Sequence, residues 1–313
     1  MESLPTSIES QLVQWLSQEF GDDPRCHVPI GDDAAILGIG PDAPCVLTSD
    51  MLMAGVHFED VSRLPMEKIG QKAAGVNLSD LAAMAANPRA LLVSLAIPRK
   101  TTLEELKRLY QGIRKLADQF DVAIAGGDTN VWDGPLAVNV TAVGVPVCDQ
   151  AWSRAGGQAG DLLVVTGVLG GSCVKKHWCP TPRVNESLAL ARHGIGVHAA
   201  IDISDGLALD LWRVAQASGC GATLDASRIP LSDDAKSLAE SGSGSTALDH
   251  ALTDGEDFEL LLAMPQSEFS KAVEMDDLKV PLFEIGRLEP KLGLQLQTAD
   301  GELQPLAPRG FLH

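Results

Sequence analysis

The sequence predicts a mixed α/β protein of the α+β type, divided into two domains. Short apolar runs typical of strands recur between longer segments whose apolar residues have helical spacing. Polar residues and glycines interrupt this pattern near 148–160, so we assign 1–148 to a first domain and 149–313 to a second. The chain has 313 residues, of which 45% are hydrophobic, and this is sufficient for two cores.

The first half alternates between helix and strand patterns. Thr6 and Glu9 form a capping-box pattern, which predicts a helix that runs to Phe20. An Ala-rich segment at 67–86, followed by Pro88, predicts a buried helix. Thr102 is expected to cap a further helix that extends to Phe120. Strands are expected at 45–48, 90–97, 122–125 and 136–147.

The second half begins again with an apolar run, DLLVVTG, that predicts a strand at 161–167. Further strands are expected at 198–204 and 258–264, and a helix at 206–218. The segment SGSGST at 241–246 is typical of a flexible loop.

Charge and cysteine content exclude several classes of function. The net charge of −18 argues against nucleic acid and against an anionic membrane surface as partners. We find no signal peptide and no apolar run of about 20 residues, the length of a membrane helix. The six cysteines form no CxxC pair; Cys173, His177 and Cys179 lie close in sequence but lack the second ligand pair of a zinc site. We therefore expect reduced thiols and a cytoplasmic location.

Aspartate next to small residues is the most informative pattern in the sequence. It occurs in GDDAA (31–35), TSD (48–50), NLSD (77–80), GGDT (126–129), DISDG (202–206) and DGED (254–257). One such motif alone is typical of a turn or a helix cap. Small neighbours allow a bulky anion to approach the backbone, and oxygen ligands of this kind suit Mg²⁺ bound together with phosphates. Six motifs in one chain therefore predict a phosphate site that holds several metal ions.

The first motif contains two adjacent carboxylates. Consecutive strand residues point to opposite faces, so only Asp32 or Asp33 is expected to point into a site, while the other caps a turn or faces solvent. The chain has no GxxxxGK[ST] loop, no HRD or DFG kinase motif and no nucleophile elbow. Gly38 and Gly40 imitate a dinucleotide fingerprint, but no strand-turn-helix pattern surrounds them.

A longer series of motifs carries a family resemblance. These are GDDAAIL, TSDMLMAGVHF, KAAGVNLSDLAAMAANP, AGGDT, WSRAGGQAGDLLVVTG, PTPRV, DISDGLALDL and LTDGEDFELLLA, which span about 28–265, with an echo at Gly310 and Phe311. Together they resemble the thiamine-monophosphate kinases. VNLSDLAAM indicates the aminoimidazole-ribonucleotide synthetase superfamily, and GVHF, GGDT and DGEDFEL favour the kinases within it.

The resemblance implies a fold, a reaction and an assembly. It implies the two-domain aminoimidazole-ribonucleotide synthetase-like fold, with strands of the N-terminal domain that pair in a dimer barrel and a C-terminal α/β domain. The reaction would be the ATP-dependent phosphorylation of thiamine monophosphate to thiamine diphosphate, assisted by several Mg²⁺ ions, in a homodimer. The acceptor is a phosphate whose second pKa is about 6, so it is ionised at neutral pH and no side chain is needed as a general base.

The resemblance also implies residue roles. The implied metal ligands are Asp33, Thr48, Ser49, Asp50, Asp80, Asp128, Asp202 and Asp205, and Asp50, Asp80 and Asp128 would assist catalysis through the metals. The implied nucleotide contacts are Tyr110, Gly127, Asp128, Arg154 and Ser204. The implied contacts to thiamine monophosphate are His57, Glu256 and Phe311.

The chain departs from the family pattern after Ser172. The family carries a longer helical stretch there, whereas only CVKKHWC separates Ser172 from Pro180. Two alternatives remain open. One is a sister enzyme, such as an aminoimidazole-ribonucleotide or selenophosphate synthetase, although the reactive cysteine near a Gly-rich N-terminus that the latter would need is not found. The other is a nucleotide-binding protein that keeps the scaffold without turnover.

Overall fold

The computed structural model describes residues 14–18, 26–28, 31–38, 44–58, 65–147 and 151–311. Residues 14–18 are helical, within the helix predicted at 6–20, and the remainder of that prediction lies outside the described residues. The predicted boundary between 148 and 149 also lies outside them and stays a prediction. In the described parts of the chain, no helix is both long and apolar enough to cross a membrane.

A six-stranded sheet forms the first half of the molecule. Its strands are β1 (Cys26–Val28), β2 (Ala35–Gly38), β3 (Pro44–Met53), β4 (Ala86–Pro98), β5 (Ala123–Trp132) and β6 (Ala137–Pro146). They are arranged in the order β1-β2-β3-β6-β4-β5, and every pairing is antiparallel except β4 with β5. In β6, Val138, Val140 and Ala142 are buried, whereas the alternate residues are half-buried. One face of this sheet is therefore packed, as strand alternation requires.

Two helices cover the packed face. They are α1 (Met66–Ala83) and α2 (Leu103–Ala117). Helix α2 begins with the predicted capping box: the Thr102 side chain accepts a hydrogen bond from the Glu105 N–H, and the Glu105 carboxylate accepts one from the Thr102 N–H. Helix α1 is buried along most of its length, which explains its high content of alanine and glycine.

A seven-stranded sheet forms the second half. Its strands are β7 (Leu162–Thr166), β8 (Ala199–Asp202), β9 (Gly221–Asp225), β10 (Leu260–Met264), β11 (Leu282–Glu289), β12 (Leu294–Gln297) and β13 (Leu303–Pro305). The order is β13-β12-β9-β11-β7-β10-β8, and only β9 with β12 is parallel. The helices are α3 (Val184–Arg192), α4 (Leu207–Ala217), α5 (Asp233–Glu240), α6 (Ala247–Thr253) and α7 (Gln266–Ala272). Strands β7, β8 and β10 are buried at every position, so they are apolar runs without alternation.

Helix α1 belongs to the packing of both halves. Its residues Ile69, Ala73 and Leu78 lie in a hydrophobic cluster with strand residues of the first sheet. The same cluster includes Leu162 of β7 and Ala200 of β8, in the second sheet. One face of the second sheet therefore shares a core with the first sheet, and α1 runs through it. The other face of the second sheet packs in a second core with α4 and α6, which includes Val165, Leu211 and Leu252.

Helices α1 and α2 cross at two glycines, and this contact gives a first prediction. A Cβ atom on Gly112 would lie 1.9 Å from the Glu67 carbonyl oxygen, and one on Gly70 would lie 2.0 Å from that of Leu109. We expect Gly112→Ala to push the helices apart and to lower the free energy of unfolding by about 1–3 kcal/mol. Urea denaturation followed by circular dichroism measures this.

Gly196→Ala is the matched control for that substitution. There the nearest atom to the new Cβ would be the Glu268 Cγ at 3.3 Å, in a side chain that can move. A Gly112 variant as stable as the Gly196 variant would contradict the close helix contact.

Candidate functional site

A cavity of about 840 Å³ lies where β3, α1 and β8 approach one another. This volume is within the range of small-molecule sites. Twelve of the predicted site residues line it: Asp33, Thr48, Ser49, Asp50, His57, Asp80, Arg154, Asp202, Ser204, Asp205, Glu256 and Phe311. The structure thus brings together motifs that are separated by up to about 280 positions in the sequence.

Three polar residues of α1 hold the walls of the cavity in place. The Asn77 side chain accepts a hydrogen bond from the Asp50 N–H at 3.1 Å. Ser79 donates to the Asp202 carboxylate at 2.6 Å, and Asp80 accepts from the Thr48 hydroxyl at 2.5 Å. The NLSD motif therefore connects β3 of the first sheet to β8 of the second. This is the physical reason for polar residues within an otherwise apolar helix.

Strand β3 borders the cavity beyond the point where its pairing with β2 ends. The ladder between β2 and β3 ends at the pair Ala35 and Leu47, whereas the ladder with β6 continues to Met53. Thr48 and Asp50 therefore lie beside the cavity although they are in the middle of a strand. The Ser49 side chain points to the opposite face, where its hydroxyl lies 2.8 Å from that of Thr141.

Three carboxylates converge at the base of the cavity. One oxygen from each of Asp33, Asp80 and Asp202 lies within 4.8 Å of the others. Burial, followed by the charges of Asp50, Asp202 and Asp33, raises the pKa of Asp80 well above its usual value, and the Thr48 hydrogen bond opposes this. Burial and the Asp33 charge also raise the pKa of Asp202, against the Ser79 hydrogen bond. The charges of Asp80 and Asp202 are therefore only partly compensated by their hydrogen bonds to Thr48 and Ser79.

The donor set fits divalent metal ions. The Asp33 Oδ2 atom is buried and accepts no hydrogen bond from the residues that the structure describes, so it is suited to bind a cation. The surrounding donors are carboxylate and hydroxyl oxygens, which Mg²⁺ prefers. A bound cation would offset the repulsion that raises these pKa values.

Arg154 supplies the positive charge next to the adjacent aspartates. Its Nη2 donates to Asp33 Oδ1 at 2.6 Å, and its backbone N–H donates to the Asp32 carboxylate at 3.0 Å. Asp33 belongs to the carboxylate cluster and Asp32 caps the Arg154 backbone, as predicted for the pair. The expected reason was wrong, however, because Asp32 is an isolated bridge residue and Asp33 lies in a bend, both before β2 begins at Ala35. Burial and the Asp33 charge raise the pKa of Asp32 to about 6.

Asp205 is held by an ion pair that sequence reasoning missed. Arg213 donates Nη2 to Asp205 at 2.5 Å and Nη1 to Asp210 at 2.7 Å. The second oxygen of Asp210, which is fully buried, accepts the N–H groups of Ser204, Asp205 and Gly206. Asp210 therefore fixes the DISDG turn. Its position on the buried face of α4 was the available indication.

Three segments distant in sequence meet at the DISDG turn, in the wall of the cavity. The Glu256 N–H donates to the Ser204 carbonyl at 2.6 Å, and the Phe311 N–H donates to the Asp205 carbonyl at 2.8 Å. Glu256 forms an ion pair with Lys72 of α1, which sequence reasoning also missed. Burial alone would raise the pKa of Glu256, but the His177 hydrogen bond and the Lys72 charge lower it below its usual value. Glu256 is therefore ionised at neutral pH.

Two further carboxylates of the DGEDFE segment are buried behind the cavity. Glu259 accepts from both Nε and Nη2 of Arg183 at 2.5 Å, from Lys176 at 2.6 Å and from Thr166 at 2.7 Å. Asp257 accepts the Gly170 N–H at 2.9 Å, and its nearest cation is Lys176 at 3.9 Å. The buried negative charge of Glu259 is thus compensated by two cations in hydrogen-bond contact, whereas that of Asp257 is not.

Asp257 makes stability depend on pH, which is a second prediction. Burial raises its pKa to about 7, although Lys176 and Gly170 oppose this, whereas an unfolded aspartate has a pKa of about 4. The folded state therefore binds the proton between these values, and this stabilisation is lost as pH rises through 7. We expect Asp257→Asn to remove about 2 kcal/mol of the decline in unfolding free energy between pH 5 and pH 8. Urea denaturation at both pH values measures it.

Asp118→Asn, which changes an exposed carboxylate, is the control for this pH dependence. It should show the same decline as the wild type. If Asp257→Asn also retains the full decline, the buried Asp257 does not cause it.

Three predicted residues do not line the cavity of a single chain. Tyr110 is half-buried on α2 and packs against the shared core, and burial raises its pKa. Gly127 and Asp128 lie on β5, which is exposed at all ten positions. Met51 of β3 lines the cavity and lies in the same row across the sheet as Asp128. Three strand spacings separate the two residues, a distance of about 14 Å. Their nucleotide and metal roles stay predictions.

Known proteins with similar sequences and structures cover both halves of the chain. The family models for the AIR synthase related protein match residues 31–146 with its N-terminal domain and residues 180–298 with its C-terminal domain. The thiamine-monophosphate kinase of Rhodopirellula baltica is 39% identical over 313 residues, covering 98% of this chain and 97% of that protein. The thiamine-monophosphate kinase of Escherichia coli K12 is 32% identical over 308 residues, covering 91% of each chain.

A solved structure of AaThiL complexed with AMPPCP and TMP matches with a TM-score of 0.84 at 26% identity, covering 99% of this chain and 100% of that chain. The similarity therefore extends through both sheets and through the ranges that contribute the converging aspartates. The 39% identity with the Rhodopirellula baltica protein extends over nearly the whole of both chains, and both family models match. The chain therefore belongs to the thiamine-monophosphate kinase family, with the two domains of AIR synthase related proteins.

Proposed function

We propose that this protein transfers the γ-phosphoryl group of ATP to thiamine monophosphate and so forms thiamine diphosphate and ADP. The observation that supports this most strongly is the convergence of Asp33, Asp80 and Asp202 at the base of a cavity large enough for a nucleotide. Related proteins carry the name of this kinase, and the AaThiL structure contains AMPPCP and TMP. We propose a cytoplasmic location, since the reaction consumes ATP.

Several residues are suited to hold Mg²⁺ in this site. We propose Asp33, Asp80 and Asp202 as the central ligands, with Thr48, Asp50 and Asp205 beside them in the cavity wall. The Ser49 side chain points to the opposite face, so Ser49 could contribute only a backbone oxygen. Magnesium bound there would offset the like charges of the two phosphate groups and polarise the transferred one. Asp205 would have to exchange its contact with Arg213 for the metal.

The chain itself would position the substrates. We propose that Arg154 and Ser204 contact the phosphates of ATP, because both lie beside the carboxylate cluster and a guanidinium suits phosphate oxygens. We propose that His57, Glu256 and Phe311, which line the same cavity, contact thiamine monophosphate. The acceptor phosphate is largely ionised at neutral pH, so these residues orient it and none of them removes a proton.

A homodimer is part of this proposal. Strand β5 is a sheet edge whose outer backbone groups could accept another strand, and it exposes Ile124, Val131 and Trp132. The open face of the sheet also exposes Met51 and Leu92. Apolar surface of this kind marks an interaction site. We propose that two copies join these faces, and that Gly127 and Asp128 complete a nucleotide site across the interface.

The experiment that tests this function measures both products of the reaction. Purified protein is incubated with ATP and Mg²⁺, with and without thiamine monophosphate, while ADP release and thiamine diphosphate are followed by chromatography. We expect equal amounts of the two products, dependent on thiamine monophosphate. ATP binding without thiamine diphosphate would instead favour a sister enzyme or a scaffold that binds nucleotide only.

A further inference from the structure

A buried lysine supports one side of the Glu256 carboxylate. The Lys72 side chain is 1% exposed, and its ammonium group lies 2.5 Å from Glu256 Oε1. The same group donates to the His57 carbonyl at 3.0 Å and lies 5.2 Å from the centre of the Trp178 ring. One cation on α1 therefore contacts two elements of the cavity wall and one aromatic ring behind it.

His177 supports the other side of this carboxylate. Its Nδ1 lies 3.4 Å from Glu256 Oε2, and its ring packs edge-on against Trp178 with centroids 4.1 Å apart. His177 and Trp178 occupy the short 3₁₀ turn Lys176–Trp178, within the shortened segment between Ser172 and Pro180. The turn is anchored on its other side by Lys176, which donates to Glu259. The shortened segment therefore closes the back of the Glu256 wall.

The backbone around Glu256 adopts an uncommon conformation. Glu256 has a φ of 54° and Phe258 a φ of 50°, in the left-handed region that costs a non-glycine residue about 1 kcal/mol. The surrounding contacts must hold such a conformation in place. The Glu256 side chain remains 29% exposed, on the cavity side, so a ligand can reach it.

We infer that His177 is a positioning residue, which orients the Glu256 carboxylate toward the acceptor substrate. This inference rests on the proposed function. Thiamine monophosphate carries an amino group and a positively charged ring, and an ionised carboxylate of fixed direction suits both. Lys72 neutralises Oε1 on the side of the core, while His177 holds Oε2 and so sets the direction of the group. The described residues that line the cavity include Glu256 but none of Lys176–Trp178, so we place His177 behind Glu256 and expect it to act through that carboxylate.

The test separates the affinity for the acceptor from turnover. His177→Ala removes the contact, and His177→Asn restores a donor near the position of Nδ1. His193→Ala is the matched control, because His193 forms an exposed pair with Asp277 at 3.2 Å on the surface. For each protein, kcat and the KM values for thiamine monophosphate and for ATP are measured. Calorimetric titration with thiamine monophosphate alone and the melting temperature are measured in parallel.

We expect His177→Ala to raise the KM and the Kd for thiamine monophosphate about five- to tenfold, with kcat and the KM for ATP within about twofold of the wild type. His177→Asn should recover most of the affinity, and His193→Ala should change nothing. Unchanged acceptor affinity in His177→Ala, or a uniform loss of all parameters and of melting temperature that Asn does not rescue, overturns the inference. A wild type that neither binds nor phosphorylates thiamine monophosphate overturns the proposed function as well.

Discussion

Replacing Asp80 with Asn should lower kcat by about 10²–10³-fold and leave the protein at least as stable as the wild type. The activity falls because a central ligand of the proposed metal site is lost. Two like unit charges about 4 Å apart repel by about 4 kcal/mol at an effective dielectric constant of 20. Without the metal ion that Asp80 is proposed to hold, this repulsion between the two phosphate groups would not be offset. Stability does not fall because burial and neighbouring carboxylates raise the pKa of Asp80, so its charge is unfavourable in the metal-free fold.

The opposite directions of these effects make the experiment informative. Thiamine diphosphate formation gives kcat, and differential scanning calorimetry without Mg²⁺ gives the melting temperature. Asp133→Asn is the control, because Asp133 is an exposed carboxylate paired with Arg99 on the surface. Near-normal turnover in both Asp80→Asn and Asp50→Asn would disprove the metal assignment.

Replacing Arg183 with Ala should lower the free energy of unfolding by about 3 kcal/mol. Arg183 makes two hydrogen bonds to Glu259, which is 1% exposed. After the substitution, the carboxylate retains only Lys176 and the Thr166 hydroxyl as side-chain partners, so a buried charge loses most of its compensation. Urea denaturation at pH 7 measures the loss.

A double mutant distinguishes this explanation from simple loss of packing. Adding Glu259→Gln to Arg183→Ala should cost less than the sum of the single substitutions, since the uncompensated charge is gone. Arg228→Ala is the control, because Arg228 is 51% exposed and its pair with Glu284 should contribute less than about 1 kcal/mol. If Arg183→Ala is no more destabilising than Arg228→Ala, the buried network is not a source of stability.

The sequence predicts the existence of most elements in the first half better than their ends. The predicted helix at 67–86 ends at Ala83, and the chain turns into β4 through Ala85, which has a φ of 48°. Pro88 does not follow the helix at a distance but lies inside β4, next to the bulge between Pro88 and Ala90. A bulge tolerates the missing N–H of proline, so this position is compatible with a strand. Local sequence alone could not distinguish the two possibilities.

Strands β3 and β5 extend beyond their predicted ends for a related reason. The motifs TSD and GGDT are typical of turns, yet both continue a strand, to Met53 and to Trp132. Gly126 and Gly127 remain in the strand with φ values of 155° and 147° and pair with β4. A Cβ on Gly127 would lie 1.7 Å from the Val93 carbonyl oxygen, so glycine is required by close packing between the strands. Pairing with distant strands thus overrides local turn preference.

For the site, the sequence indicates the carboxylates but not their cationic partners. Aspartate beside small residues is a recognisable local motif, whereas Arg154 and Asp33 are 121 positions apart. For Lys72, the only sign of a role in the site was the presence of a lysine between Gln71 and Ala73 in a helix that is otherwise Ala-rich. Pairing of this kind depends on the tertiary fold, and hydrophobic periodicity contains no information about it.

Because α1 lies in the core shared by both sheets, the two halves cannot rotate about a hinge without exposing that core. Enzymes that close by domain rotation place mobile connections between separate cores. Here the proposed ligands on β3, α1 and β8 have a fixed spacing before any substrate arrives, so the proposed site is preorganised and little free energy of binding is spent on assembling it. Thermal disruption of this shared core should correspondingly destabilise both sheets together, although the second sheet also packs in a core of its own.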